Sequence, residues 1–353
     1  MTGDIEDALV EQVRVACDGR TPLRIRGGGS KDFLAQSLAG DMLDTSKHRG
    51  IVAYEPSELV ITARAGTPLA EIEAALAEHG QMLAFEPPHF GPATLGGCVA
   101  SGLSGPARAT SGAVRDFVLG VKIIDGQARV LRFGGTVMKN VAGFDVSRLM
   151  TGAWGTLGVM LELSIKTLPA APATETLVLD VPAASVVHWM NRLAGRPLPI
   201  SATFWHRGVL HVRLSGAATA VAAARREIGG DALAADAAAS LWQQVREQKH
   251  RFATDAAPLW RLSVRSTADL PQGTDMALEW LGAQRWWGTS LSPDQVRAVA
   301  QAAGGHATAF RGAPRGYSVF HPLTSAMLAV QRRIKQAFDP AGIFNPGRIY
   351  AEL

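Results

Sequence analysis

Residues 86–116 set the narrowest limits on what this chain can fold into. After Glu86, Pro87, Pro88, His89 and Phe90 the stretch is built mostly of small residues, among them Gly91, Ala93, Thr94, Gly96, Gly97, Ser101, Gly102, Gly105 and Gly112, with Leu95 as one of its few larger members. Glycine gives up side-chain packing and adds backbone entropy to the cost of folding, so a run of it needs a physical reason. One reason is close approach of bare N–H groups to a ligand, with an anion the usual occupant. The other is a small-residue helix packed tightly on a neighbour. This stretch alone does not choose between them.

A second small-residue loop lies near the N-terminus. Leu23 and Ile25 alternate with Arg24 and Arg26, the period of a strand, and run into Gly27, Gly28, Gly29, Ser30 and Lys31. Such a loop can form a concave nest of N–H groups, and a flanking lysine suits a pyrophosphate. Standing alone, the loop is read more simply as a plain tight turn. It lacks the spacer of a Walker loop and the Gly-x-Gly-x-x-Gly of a Rossmann turn. A third stretch, 139–145 followed by 152–159, and a fourth, 338–348, complete the set.

In this order and at this spacing, the four stretches resemble the FAD-binding proteins of the vanillyl-alcohol oxidase type, the PCMH-type flavin fold. The two-proline loop, residues 93–97, Val114-Arg115-Asp116 and the short C-terminal half make the chain similar to the FAD-binding subunits of glycolate oxidases. The resemblance implies an α+β fold. A PCMH-type FAD-binding domain of two α+β subdomains would span 1–170, and a smaller ferredoxin-like α+β cap, the substrate domain, 171–305. A C-terminal segment, 306–353, would return to the FAD domain. It also implies a set of FAD contacts. Gly27, Gly28, Gly29, Ser30 and Lys31 would bracket the pyrophosphate with Ala93, Thr94, Leu95, Gly96 and Gly97. Ser101, Gly102 and Gly105 would lie nearby, Pro88 and Gly112 in the same groove, Val159 at the adenine end, and Asn345 near the isoalloxazine. Some relatives attach the flavin through a histidine just after the glycines. Here that slot is Ser30, so the FAD is expected to be non-covalent.

The activity implied is that of an FAD-dependent oxidoreductase acting on the CH–OH of a small 2-hydroxy acid. As a subunit it would oxidise glycolate to glyoxylate and pass electrons to a larger FAD subunit and an iron–sulfur subunit. Two cysteines, Cys17 and Cys98, are too few for a cluster of its own. Two other readings stay open: an autonomous FAD oxidase of another small alcohol or hydroxy acid, and a catalytically silent flavin-bearing scaffold. Catalytic relatives carry clustered histidines in the cap that hold a metal. None of the nine histidines here has ligand spacing to another, so no metal is expected. His321 is a candidate base, and Arg311 and Arg315 are a candidate carboxylate clamp.

Composition narrows the class further. Hydrophobic residues at 47% and charged residues at 19% describe a globular chain. A net charge of +4 is too mild for a nucleic-acid binder and suits an anionic cofactor. The cysteine count gives no disulfide framework, and no apolar run is long enough to span a bilayer. The acidic start (Asp4, Glu6, Asp7) is unlike a signal peptide. The expected location is cytoplasmic, with at most a peripheral contact with the inner face of the membrane through partners. Among the elements, Thr67 is expected to cap a helix and 277–287 to form one strand. A helix over 322–338 should turn Met327, Val330, Ile334 and Phe338 to the core. No internal repeat is visible.

Overall fold

Ile5, Leu9 and Val13 recur on one face of an amphipathic helix, α1 (Gly3–Gly19), the first element in a computed structural model of the chain. The structure describes residues 3–136, 145–250, 258–312 and 316–353. Residues 139–144 of the third stretch, and Arg315, lie outside them. The chain divides into two units. One comprises Met1–Leu103, Ala113–Pro169 and Pro322–Leu353; the other comprises Ser104–Gly112 and Ala170–His321.

The first unit has two α+β layers of its own. In the smaller, β1 (Leu23–Arg26) and β2 (Asp41–Asp44) run parallel. Leu9 and Val13 of α1 close on Leu23 and Leu43, and Ile343 and Phe344 from the tail fill the same core. The larger is built on β3 (Ile51–Glu55) and β4 (Val60–Arg64), followed by α2 (Leu69–Ala77), β5 (Gln81–Met82) and α3 (Leu95–Ser101). The short helix α4 (Arg108–Ser111) belongs to the second unit. Then come β6 (Val118–Ile124), β7 (Val130–Gly134), α5 (Val146–Met150), β8 (Val159–Lys166) and β9 (Leu168–Pro169). The sheet order is β3-β4-β8-β6-β7, all antiparallel. Ile61, Ile72, Leu95, Val99, Ile123 and Leu163 form its core. Thr67 does not cap α2: Pro68 takes the cap position, and the Thr67 hydroxyl accepts from the Gly50 amide instead (2.9 Å).

The second unit holds one eight-stranded sheet. Its elements are β10 (Ala173–Asp180), α6 (Ala183–Ala194), β11 (Ile200–His206), β12 (Val209–Gly216), α7 (Ala218–Ile228), β13 (Asp231–Ala232) and α8 (Ala235–Arg246). They continue with β14 (Leu259–Ser263), β15 (Met276–Glu279), β16 (Gln284–Gly288), α9 (Pro293–Ala302) and β17 (His306–Arg311). The order β13-β10-β12-β11-β15-β16-β14-β17 is a ferredoxin-like arrangement read twice. β10 to β13 make one half; β14 to β17 make its counterpart, joined through β11 and β15. So the fold contains a repeat that the sequence does not display. The second half has only the loop 264–275 where the first has α6. A cavity of about 630 Å³ opens there, among Leu262, Val264, Leu270, Met276, Arg285 and Val299.

Three expectations need correction. The stretch 277–287 is a hairpin and not one strand, because Trp280, Leu281 and Gly282 all take positive φ and turn the chain back. The boundary expected at 305 falls at His321, because β17 pairs with β14 and completes the second half of the sheet. Ser104–Gly112 also packs in this unit, where the Trp280 indole donates to Gly105 O (3.0 Å) and the Thr110 hydroxyl to Ser201 O (2.9 Å). The return helix α10 (Ser325–Phe338) belongs to the first unit. Ile334 and Phe338 pack against its larger core, but Met327 and Val330 are 48% and 45% exposed. The helix therefore docks by its C-terminal turns. Among the described residues, no helix is long and apolar enough to cross a membrane.

Candidate cofactor site

In the first unit, β1 ends at Arg26 and the chain turns through Gly27, Gly28, Gly29 and Ser30, with the Asp32 amide donating back to Gly29 O (3.1 Å). Gly29 has φ +69°, the left-handed geometry that makes successive amides converge. Among the described residues, the amides of Gly27, Gly28, Gly29 and Ser30 meet no acceptor. Four consecutive unpaired donors are unusual in a folded chain, where such groups find partners. They line a cleft with Ile25, Thr94, Gly97, Ala100, Trp154, Asn345 and Arg348. Side chains are excluded at the base of the turn: a Cβ on Gly28 would lie 1.5 Å from Pro92 O.

The cleft carries an excess of positive charge. Asp32 accepts from Arg24 (2.8 Å) and Arg26 (3.1 Å), and Arg348 stands 3.8 Å from it. Three guanidinium groups thus share one carboxylate. Lys31 is buried, and its ammonium donates to the Ser30 hydroxyl (3.2 Å) and His89 O (3.3 Å). Burial pulls the Arg348 guanidinium down to about 10, Asp32 opposing and Arg24 assisting, so it remains charged at neutral pH. Unpaired amides and surplus cations are what a pyrophosphate requires. The residues present therefore fit the dinucleotide cofactor that the sequence implies. The Cys98 thiol within α3 is pushed up to about 12 by burial and is inert.

The small-residue helix α3 packs tightly on its neighbours, the second of the two readings the sequence left open, while Thr94 and Gly97 also line the cleft. Its first amides are already used: Leu95 donates to Thr67 O (2.9 Å), Gly96 to Ala65 O (2.7 Å) and Gly97 to the Thr94 hydroxyl (3.3 Å). A Cβ on Gly96 would sit 2.8 Å from Ala65 Cβ, so Gly96 lets α3 lie against the chain just after β4. Gly102 caps α3 at φ +63° and touches Gly152, while the Ser101 hydroxyl donates to Cys98 O (2.9 Å). Leu95 and Val159 are core residues, and Pro88 is buried in its loop. Ala93 lines an adjoining hollow with Gly28, Lys47 and Arg49. Gly105 and Gly112 belong to the second unit. Of the expected contacts, the cleft gathers residues 27–31, Thr94, Gly97 and Asn345.

Asn345 reaches the cleft, but both polar ends of its amide are engaged. Its Oδ1 accepts from the Ile25 amide (2.8 Å) and its Nδ2 donates to Trp154 O (2.7 Å). Trp154 itself holds φ +54°, a strained conformation for so bulky a residue. Its amide donates to Ala100 O (2.8 Å), and its ring carries Arg348 at 5.2 Å. Asp339 anchors the tail, accepting from Lys335 (2.7 Å) and from the Ile343 and Phe344 amides (3.1 and 2.8 Å). Sequence reasoning missed Arg26, Asp32, Ala100, Trp154 and Arg348. Arg26, Trp154 and Arg348 had a visible signal, since each adjoins a glycine of the four stretches.

The catalytic candidates lie in the second unit, apart from Arg315, which is outside the described residues. The His321 ring accepts from the Ala307 amide (3.4 Å) and meets the Gln301 amide (3.2 Å), which ties the chain to β17 and α9. Burial, then Arg297, holds its pKa below the ordinary range. Arg311 donates to Gln248 O (3.2 Å). These contacts make both residues structural ties. Among the described residues, no group of three His, Cys, Asp or Glu could hold a metal.

Comparison with known proteins gives a consistent picture. The FAD binding domain family matches residues 4–134, and the FAD linked oxidase C-terminal domain matches 321–349. The chain is 47% identical to the glycolate oxidase subunit GlcE of Escherichia coli (strain K12), over 99% of each. It is 26% identical to the glycolate oxidase subunit GlcD of Bacillus subtilis (strain 168), over 49% of this chain and 37% of that one. A solved alkyldihydroxyacetonephosphate synthase superposes with a TM-score of 0.66, covering 96% of this chain and 74% of that one at 14% identity, which is a likeness of fold.

Proposed function

Because the chain belongs to the FAD-linked oxidases of the GlcE family, we propose that it is the FAD-binding subunit of a multi-subunit glycolate oxidase. Likeness over the full length of GlcE is the observation that carries this reading. The cleft supports the flavin half of it. The amides of residues 27–30, with Lys31, Arg26 and Arg348, would hold the pyrophosphate, and Trp154, Ala100 and Gly97 would wall the groove. Bound FAD supplies acceptance of the hydride from the 2-hydroxy acid. The chain's own part is to fix the cofactor and to exclude water from the groove. Ser30 offers no imidazole for a flavin link, so the FAD is held without one.

The reaction also needs an outlet for electrons, and two cysteines do not build a cluster. A larger flavin subunit and an iron–sulfur subunit are the partners this reading requires. The test is glycolate turnover with a dye acceptor, by the flavin-loaded chain alone and by the reconstituted complex. The chain alone is expected to be slow and the complex to recover full rate. Equal rates would make the chain an enzyme in its own right, and a colourless chain would remove the flavin reading altogether.

A further inference from the structure

Among the described residues that line the cofactor cleft, Asp32 is the one carboxylate. A negative charge in a pyrophosphate site needs a reason, because like charges at close range repel. Its three guanidinium neighbours are not equivalent. Oδ2 accepts from Arg24 Nη2 (2.8 Å) and from Arg26 Nε (3.1 Å), and Oδ1 faces Arg348 Nη2 at 3.8 Å. Arg26 and Arg348 line the cleft, whereas Arg24 is not among its lining residues. Arg24 also keeps a buried Nε with no acceptor among the described residues. Its guanidinium can therefore offer Nε and Nη2 side by side, the fork that fits both oxygens of a carboxylate. Arg26 and Arg348 have other contacts to hold them in place. Arg348 donates to Lys31 O (3.3 Å) and lies over the Trp154 ring. Arg26 lies against Gly29, where any Cβ would run into its guanidinium. Loss of the carboxylate would free these two cations without dispersing them. The Asp32 and Arg24 side chains are each 27% exposed, so water screens their charges only in part.

We propose that Asp32 competes with the cofactor's pyrophosphate for Arg26 and Arg348, and that Arg24 is the partner to which it withdraws. As the anion enters, the two cleft guanidinium groups turn to phosphate oxygens. Asp32 gives them up and closes on the Nε–Nη2 fork of Arg24, with no bond made or broken and no proton moved. Asp32 thereby sets how tightly the dinucleotide is held, and it takes back the cations when the dinucleotide leaves. Arg24 is a positioning residue: it acts on the cofactor only through Asp32. This role rests on the pyrophosphate site proposed above. It also accounts for the surplus of arginine: two of the three guanidinium groups serve the anion, and the third neutralises the carboxylate that the anion displaces.

The experiment titrates ADP, which carries a pyrophosphate without an isoalloxazine, into the full chain stripped of flavin, by calorimetry. Adenosine is the uncharged control, and FAD binding is followed in parallel by flavin fluorescence. Asp32→Asn should tighten ADP and FAD about tenfold, the effect of deleting one like charge a few ångströms away under partial screening. It should leave adenosine unchanged. Its affinity for ADP should also fall more steeply with added salt than that of wild type, because the cleft is then more positive. Arg24→Gln should weaken ADP roughly threefold although Arg24 is outside the cleft lining, since Asp32 then stays on Arg26 and Arg348. In the Asp32→Asn background the same change should lose most of its effect, a coupling that a merely structural Arg24 would not show. Asp32→Asn binding ADP no tighter than wild type overturns the competition. So does an adenosine affinity that moves as far as that of ADP, which would mark a change of loop structure. If Asp32→Asn fails to fold, Arg24→Gln decides alone, and unchanged or tighter ADP binding overturns the proposal. Wild type that binds neither ADP nor FAD removes the pyrophosphate site itself, an outcome distinct from any difference between variants.

Discussion

Replacing Asn345 by alanine separates a ligand contact from a structural lock. The side chain is 7% exposed and bridges two backbone groups of distant segments: the Ile25 amide of β1 and Trp154 O beside α3. Asn345→Ala leaves both groups buried without a partner, at about 1–3 kcal/mol each. The residue also holds φ +41°, which asparagine tolerates and alanine resists by about 1 kcal/mol. The sum is a loss of about 5 kcal/mol. With a urea m-value of about 3 kcal/mol/M for a unit of this size, the unfolding midpoint should drop by roughly 1.7 M. The assay is urea unfolding of wild type, Asn345→Ala and Asn345→Gly by circular dichroism, with bound flavin measured in parallel. Asn345→Gly should recover the backbone part, about 1 kcal/mol, and no more. Flavin loss with a midpoint within about 0.3 M of wild type would show that Asn345 acts on the cofactor directly, and the lock argument would fail.

Acid precipitation should leave the yellow colour in the supernatant, because Ser30 occupies the attachment slot; fluorescence retained in the denatured pellet would contradict this. Ala100→Leu should fill the cleft and abolish flavin retention while the apo fold melts near wild type, since a surface of α3 accepts a good helix former. Gly96→Val, by contrast, should lower stability by several kcal/mol whether or not flavin is present, because its side chain meets Ala65; a normally stable variant would refute that contact. Acid should destabilise the second unit through His250, whose pKa burial lowers from 6.5 to about 4. Folded His250 stays neutral while the unfolded chain takes up a proton. The contribution is therefore full above pH 6.5 and is lost as pH falls to about 4, a span of about 3 kcal/mol. His250→Leu should flatten that limb of the stability–pH curve; an unchanged slope would assign the acid sensitivity elsewhere.

What the sequence made legible was local. Helix α6 needs only its own apolar period, Arg207 and Gly208 turn a hairpin by taking positive φ together, and Ser292 with Gln295 closes a capping box within one turn. The hidden features depend on partners far along the chain. The second ferredoxin-like half was invisible because its first helix is replaced by residues 264–275, so the two halves share strand order but not an element pattern. Trp280 and Leu281 take positive φ without being glycine, which concealed the hairpin between β15 and β16. The four glycine-bearing stretches show the same limit most clearly. Gly28 and Gly96 look alike in sequence, yet one is bare beside Pro92 at the cleft and the other is pressed on Ala65 with its amide already bonded. A glycine records that something comes close; it does not record whether that neighbour is a ligand or the protein's own backbone. The deciding observation is the amide: unpaired in residues 27–30, paired in Leu95, Gly96 and Gly97. On that criterion the N-terminal loop supplies the unpaired amides of the cleft, while the longer small-residue run contributes to its wall through Thr94, Gly97 and Ala100.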